Sequence, residues 1–338
     1  MKQLVMGNEA VALGALRAGM SFFAAYPITP ASEIMHFLAD RENKIEFVHA
    51  EDEIASIHMA IGASLAGRKA MTSTSGPGMS LKQEGIGLAH MMEVPLLVVD
   101  VQRVGPSTGM PTLPAQGDLL QAKHGSHGDY SALVFYPGSV EECYKVTIQA
   151  FNAAEESSSP VILLLDGFLA HLSETVDLED VPVEVKPRTR PPLGSGTRHF
   201  TGLLAKDGRP KTNDSAYYRE WYARVKAKIR STADNYRLFE YLDNPRADTL
   251  LVAYGITFRV IQPLRGDFSL FRPVRMFPVL EEELAEAAAR YRRVIVVEMN
   301  DGQYRDEVER VLKREVIGIP VLGGSIHLKE IEKRLHEL

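Results

Sequence analysis

The chain has 338 residues, 45% hydrophobic and 24% charged, and 38 Lys and Arg against 44 Asp and Glu give a formal charge of −6. This composition excludes wholesale disorder and fibrous repeats, and the acidic excess argues against a nucleic-acid binder, which needs a basic stripe. No apolar run approaches the roughly 18 residues of a membrane span, and Met1-Lys2-Gln3-Leu4 lacks a signal pattern, so a cytoplasmic location is expected. The single cysteine, Cys143, cannot by itself form an internal disulfide, a zinc–thiolate cage or an iron–sulfur site.

The first half alternates helical patterns with short apolar runs. Helices are predicted over residues 7–19, 31–41, 51–67, 78–90 and 139–156, and strands over 21–26, 45–49, 69–73, 95–101, 133–136 and 161–165. Strands that are apolar throughout and separated by helices imply a parallel sheet covered on both faces. Residues 181–190 alternate, then meet Pro191-Pro192 and Gly194-Ser195-Gly196. A polar stretch leads to one long helix carrying Tyr218, Trp221, Tyr222, Val225 and Ile229 on a single stripe, the pattern of a connector that packs on its neighbours or, equally, of an oligomer contact. Alternation resumes with strands at 250–254, 270–276, 294–297 and 316–321, and helices near 256–264, 280–291, 304–313 and 327–335. The expected organisation is an α/β domain over residues 1–170, a connector over 171–247 and a smaller α/β domain over 248–338.

Several motif matches fail on context. The glycines at 62 and 67 approximate a phosphate loop but end a helix and lack the Gly-Lys-Ser/Thr finish. Gly76-Pro77-Gly78 offers only two glycines of a dinucleotide fingerprint. Gly105-Pro106-Ser107-Thr108-Gly109 matches a nucleophile elbow, yet Pro111 and Pro114 follow where a helix must begin. His124 and His127 have no third metal ligand at helical spacing.

Three features carry more. Tyr26-Pro27-Ile28-Thr29-Pro30 is a stiff turn at a strand end, which also reads as a helix start capped by Thr29 with Pro30 at the first helical position. Glu51-Asp52-Glu53 opens an otherwise almost uncharged helix. The helix dipole explains the first two acids, whereas Glu53 runs directly into Ile54, Ala55 and Ile57 and is expected in a low-dielectric site, where a carboxyl can share a proton with a heterocycle. Arg103 stands at the carboxyl end of an apolar strand, where open α/β sheets bind ligands, and its guanidinium suits a carboxylate; a surface ion pair is the alternative.

Together with Gly7-Asn8-Glu9-Ala10, residues 51–67, 72–83 and 102–109, Pro114-Ala115-Gln116-Gly117-Asp118, His127-Gly128-Asp129-Tyr130, Arg198 to Gly202 and Val297-Glu298-Met299-Asn300, these motifs resemble the α subunits of the 2-oxoacid:ferredoxin oxidoreductases, the 2-oxoglutarate branch above all. The resemblance implies a parallel-sheet thiamine-diphosphate-binding fold of the pyrimidine type, followed by a smaller domain similar to the transketolase C-terminal domain. It implies that Glu53 bonds N1′ of the cofactor's aminopyrimidine beside Tyr26, Pro27 and Ile28, and that Thr29 and Arg103 meet the 2-oxo and carboxylate groups of the substrate. Ala31 departs from the family pattern, in which a serine commonly follows this turn, and the second domain is short between residues 260 and 271. The implied reaction is oxidative decarboxylation of 2-oxoglutarate with coenzyme A to succinyl-CoA and carbon dioxide, with electrons passed to ferredoxin. Pyruvate or branched-chain 2-oxoacids, or a non-catalytic scaffold, are the alternatives. Gly117-Asp118-Leu119, Gly128-Asp129-Tyr130 and Gly266-Asp267-Phe268 all miss the final glycine of the Gly-Asp-Gly motif that anchors magnesium and diphosphate in thiamine enzymes. A partner β subunit is therefore expected to supply the Mg2+–diphosphate site and a [4Fe-4S] cluster, with γ and δ subunits as further candidate partners, and no metal is assigned to this chain.

Overall fold

The computed structural model describes residues 2–41, 44–179, 181–188, 190–194 and 201–338. Ser195, Gly196 and the stretch from Arg198 to Phe200, used in the sequence reading, lie outside the described residues.

In chain order the first half runs β1 (Gln3–Met6), α1 (Gly7–Arg17), β2 (Phe22–Ala25), α2 (Ser32–Ala39), β3 (Glu46–His49), α3 (Glu53–Leu65), β4 (Ala70–Thr74), α4 (Gly76–Met91), β5 (Leu96–Val104), β6 (Met110–Pro114), α5 (Leu119–His124), β7 (Leu133–Phe135), α6 (Val140–Ser157), β8 (Pro160–Asp166), α7 (Gly167–His171) and β9 (Ser173–Val176). After a small hairpin, β10 (Ala205–Lys206) and β11 (Arg209–Pro210), comes the long α8 (Ser215–Asp234). The second half is β12 (Phe239–Leu242), β13 (Thr249–Val252), α9 (Gly255–Ile261), β14 (Ser269–Pro273), β15 (Arg275–Phe277), α10 (Glu281–Ala288), β16 (Arg293–Glu298), α11 (Gln303–Leu312), β17 (Ile317–Pro320) and α12 (Leu328–His336), with a 3-10 turn, Gln262–Gly266, after α9.

The main sheet has the order β15-β7-β8-β5-β4-β2-β3, with β6 folded back on β5. Its central pairings are parallel. Successive side chains of a strand point to opposite faces, so β5 and β8 feed two cores. Leu97, Val99, Val101, Val161, Leu163 and Leu165 enter one apolar cluster with α1 and α6. Leu96, Val98, Ile162 and Leu164 enter another that continues into Val252, Tyr254 and Val296 of the second half. Burial on both faces is why these strands read as unbroken apolar runs. The second sheet, β12-β14-β13-β16-β17, is parallel except at β12. On α8, Trp221, Val225 and Ile229 are buried in the first core, which makes this helix a packed connector, while Tyr218 stays partly exposed.

Two expectations are corrected. The run 270–276 is two strands in two sheets: β14 pairs with β13, then the chain turns after Pro273 and β15 pairs antiparallel with β7. An all-apolar run reports burial, not which sheet does the burying. Thr29 does not cap a helix either, because α2 starts at Ser32 with Ala31 as its N-cap residue. The hairpin of β5 and β6 encloses Gly105 to Gly109, so no helix follows Ser107.

Candidate active site

Strands β5, β4, β2 and β3 are neighbours in that order, and the segments leaving their carboxyl ends carry the predicted residues. Arg103 lies at the end of β5, Gly76 to Gly78 follow β4, the Tyr26 to Pro30 turn follows β2, and Glu53 follows β3. Ligands of open parallel sheets bind at such strand ends.

Asp52 is the cap of α3, accepting the Ala55 N–H at 2.6 Å. Glu53, one residue on, is freed from capping and only 6% exposed. Its carboxylate lies against Gly78 in the first turn of α4, where a Cβ would fall 2.6 Å from Glu53 Oε1 and 2.1 Å from Thr74 Oγ1. Only a glycine lets α4 approach this closely. Thr74 Oγ1 and Ser75 Oγ are buried without a hydrogen-bond partner among the described residues, which leaves acceptors and donors for a polar ligand beside Glu53.

Arg103 donates from Nη1 to the Thr29 carbonyl oxygen at 2.7 Å, so the structure joins these two residues through the Thr29 backbone. The Thr29 residue is exposed. Burial lowers the Arg103 pKa, opposed by the charges of Asp118, Asp100 and Glu53, and its Nε is buried with no partner among the described residues. Arg103 with Gly76, Pro106, Asp118, Asn300 and Gly323 lines a cleft of about 510 Å³ between the two halves. Tyr26 is exposed, Pro27 is half-buried, and Ile28 packs onto the first core. Among the described residues no group of three or more His, Cys, Asp or Glu is placed to hold a metal ion, and Cys143 is buried as a free thiol. No helix among the described residues is long and apolar enough to cross a membrane.

Sequence reasoning missed three groups. Lys82 of α4 is fully buried, with Nζ donating to Ser56 Oγ, to Thr72 Oγ1 at 3.0 Å and to the Glu53 carbonyl at 3.3 Å. Its signal was its place on the inward row of Met79, Lys82, Ile86 and Ala89. Asp100 and Asp118, both next to Arg103 in charge, were legible as a lone acid inside the apolar β5 and as part of the Gln116-Gly117-Asp118 motif. Gln116 itself bridges the two halves, accepting at Oε1 from Met299 N–H and Thr257 Oγ1, both at 2.9 Å.

The parallel main sheet, buried on both faces, and the smaller α/β unit packed on it define a thiamine-diphosphate-binding fold, as expected from the sequence. The model of the family described as pyruvate flavodoxin/ferredoxin oxidoreductase, thiamine diphosphate-binding, matches residues 13–241. The chain belongs to this family and is a 2-oxoacid:ferredoxin oxidoreductase α subunit. It is 40% identical to the 2-oxoglutarate synthase subunit KorA of Archaeoglobus fulgidus, over 96% of this chain and 95% of that one. It is 36% identical to the ketoisovalerate oxidoreductase subunit VorB of Methanothermobacter thermautotrophicus, over 99% and 97%. Among solved structures, a 2-oxoglutarate:ferredoxin oxidoreductase from Magnetococcus marinus with 2-oxoglutarate, coenzyme A and succinyl-CoA bound superposes with a TM-score of 0.92 at 33% identity. That match covers 99% of this chain, which spans 65% of the solved one.

Proposed function

We propose that this α subunit, with a β subunit, oxidatively decarboxylates 2-oxoglutarate with coenzyme A to succinyl-CoA and carbon dioxide, in the cytoplasm, passing electrons to ferredoxin. The observation that carries the reading is the juxtaposition of a buried Glu53 against Gly78 with an Arg103 tied to the Thr29 turn.

These residues fit thiamine diphosphate. A buried carboxyl suits a proton shared with an aminopyrimidine nitrogen, and the orphaned Thr74 and Ser75 hydroxyls suit its polar edge. Glu53 would hold the N1′ proton, with the Tyr26, Pro27 and Ile28 turn flanking the ring. When bound, the cofactor supplies the electron sink for loss of carbon dioxide. Arg103 would hold the C1 carboxylate, since Nη1 engages Thr29 and the remaining donors of its planar fork stay available. The Thr29 hydroxyl, on the exposed turn, would meet the 2-oxo group. The Mg2+–diphosphate site and the [4Fe-4S] cluster belong to partner chains, consistent with the missing Gly-Asp-Gly motif and single thiol of this one.

The test is the enzyme assembled with its partner subunits, assayed for acyl-CoA synthesis with a one-electron acceptor. Glu53→Gln should lower turnover by about 100-fold or more, the range for removing a positioned acid–base group. Near-wild-type turnover would remove Glu53 from the site. The similarity to a ketoisovalerate oxidoreductase subunit makes a branched-chain 2-oxoacid the second reading. Across a panel, kcat/KM is expected to be highest for 2-oxoglutarate, and a preference for 2-oxoisovalerate or pyruvate would overturn the substrate assignment.

A further inference from the structure

Beneath Arg103 lie two carboxyl groups that the proposed reaction does not use. Asp100 is the one acid within the buried part of β5 and is fully enclosed. Asp118 precedes α5, lines the cleft, and donates its N–H to Gln102 Oε1 at 2.9 Å. The two carboxyls act on each other electrostatically, and both act on Arg103, which lines the cleft together with Asp118. Among the described residues no donor closes a hydrogen bond to Asp100 Oδ1, Asp100 Oδ2 or Asp118 Oδ2. The Gly76 N–H at the start of α4 favours the ionised form of both carboxyls.

Neighbouring carboxylates with little water around them resist ionising together, so they retain a proton between them. Asp100, the deeper, keeps it: burial and the Asp118 charge push its pKa well above the usual carboxyl range. Asp118 is the member that titrates. Burial pushes it up to about 6, against the stabilising Asp100 O–H, the Arg103 charge and the Gly76 N–H. The charged groups around the pair are Arg103 on β5 and, acting on Arg103 from α3, Glu53.

We propose that the Asp100–Asp118 pair is a proton-exchanging positioning element that sets how strongly Arg103 holds the carboxylate of the substrate, an inference that rests on the reading of Arg103 given above. With Asp118 ionised, the guanidinium already faces one negative charge, and an arriving carboxylate competes with it. With Asp118 protonated, the full charge of Arg103 is offered to the substrate. Binding of a 2-oxoacid anion is therefore coupled to uptake of a proton at Asp118, and the coupling appears in KM rather than in turnover.

The experiment uses the assembled enzyme with saturating coenzyme A, and measures kcat and KM for 2-oxoglutarate from pH 5.5 to 8. In the wild type KM should rise at least about tenfold across this range, because a unit charge a few ångströms from the binding group at an effective dielectric of about 20 outweighs a factor of ten. In Asp118→Asn that rise should vanish, while kcat keeps the wild-type pH dependence and KM for coenzyme A is unaffected. A variant that retains the wild-type slope overturns the proposal, as does an equal change in both KM values. Arg103→Ala separates the two levels: if it leaves KM for the 2-oxoacid unchanged, the substrate role of Arg103 fails first. Infrared titration of the wild-type enzyme serves where Asp118→Asn does not fold. A protonated-carboxyl band that persists at neutral pH and gains intensity near pH 6 supports the pair, and its absence overturns it.

Discussion

Lys82 shows what one buried charge does to this site. An ammonium has three donors, and here they meet Ser56 Oγ, Thr72 Oγ1 and the Glu53 carbonyl, all uncharged acceptors. Burial brings its pKa down to about 7, opposed by the charges of Glu53 and Asp52. The group is protonated in the unfolded chain up to its ordinary pKa of 10.5, so between about 7 and 10.5 the unfolded state binds more protons. Stability must then rise with pH across that window, by at most about 1.4 kcal/mol per pH unit. Lys82→Met keeps the volume and removes the proton, and Ser56 Oγ still donates to the Glu53 carbonyl at 3.0 Å. Urea unfolding at pH 7 and pH 9.5 should show a wild-type gain that the variant lacks. Identical gains in both proteins would mean that Lys82 does not titrate in this window. Glu53 was legible because a charge at the head of an apolar helix breaks a pattern. Lys82 and Asp100 were harder to see because each is one polar letter in a run that otherwise reads as core, and the pattern does not say which neighbours satisfy it.

The approach of α4 to α3 is the element that shapes the pocket. Both helices leave the carboxyl ends of parallel strands, and Gly78 allows the first turn of α4 to rest on the Glu53 side chain. A methyl there would lie 2.1 Å from Thr74 Oγ1 and 2.6 Å from Glu53 Oε1, so Gly78→Ala must displace both. The expected cost is about 1–3 kcal/mol of stability, as for overpacking, together with at least a tenfold loss of 2-oxoacid oxidation, because the displaced group is the carboxyl itself. An alanine variant with wild-type turnover would show that the carboxylate of Glu53 need not stay where this helix holds it. Elements of this kind were the readable part of the fold: β2, β4, β5 and β8 are buried on both faces, and α3, α4 and α6 fill intervals between strands. The strands that escaped notice are edges or short pairings. β1 pairs only with β9, β12 lies at a sheet edge, and β6 is a mostly exposed return beside β5. Without a buried face such segments have no period to read.

At the scale of the whole molecule, the two halves are fused, not merely adjacent. β15, from the second half, completes the main sheet through β7, and one apolar cluster runs from Ile57 and Met79 through Tyr136 to Tyr254 and Val296. Polar groups close the seam: Asp166 at the end of β8 accepts from Tyr136 Oη and the Ile256 N–H, both at 3.0 Å, and from the Leu169 N–H at 2.8 Å. Gln116 is the most fully used residue in this seam. Its N–H donates to the Met299 carbonyl at 3.0 Å, its carbonyl accepts from Asn300 Nδ2 at 2.7 Å, and its Nε2 donates to the Tyr254 carbonyl at 3.0 Å. Its Oε1 accepts from the Met299 N–H and Thr257 Oγ1. Gln116→Leu fills the same space but strands two buried donors and one acceptor, each costing about 1–3 kcal/mol when left unpaired. Part of that is relieved by relaxation, so a net loss of about 2–5 kcal/mol is expected. Because the shared sheet and shared apolar cluster remain, the loss should appear as a lower urea midpoint in a single transition, followed in parallel by far-ultraviolet circular dichroism and by the fluorescence of Trp221, which is buried in the first core. Two resolved transitions would mean that the polar seam, and not the common core, makes the halves cooperative. The same variant reads out on function, since the cleft behind Arg103 is lined from both sides of this seam: KM for the 2-oxoacid should rise at temperatures well below the unfolding midpoint, where the chain is still folded.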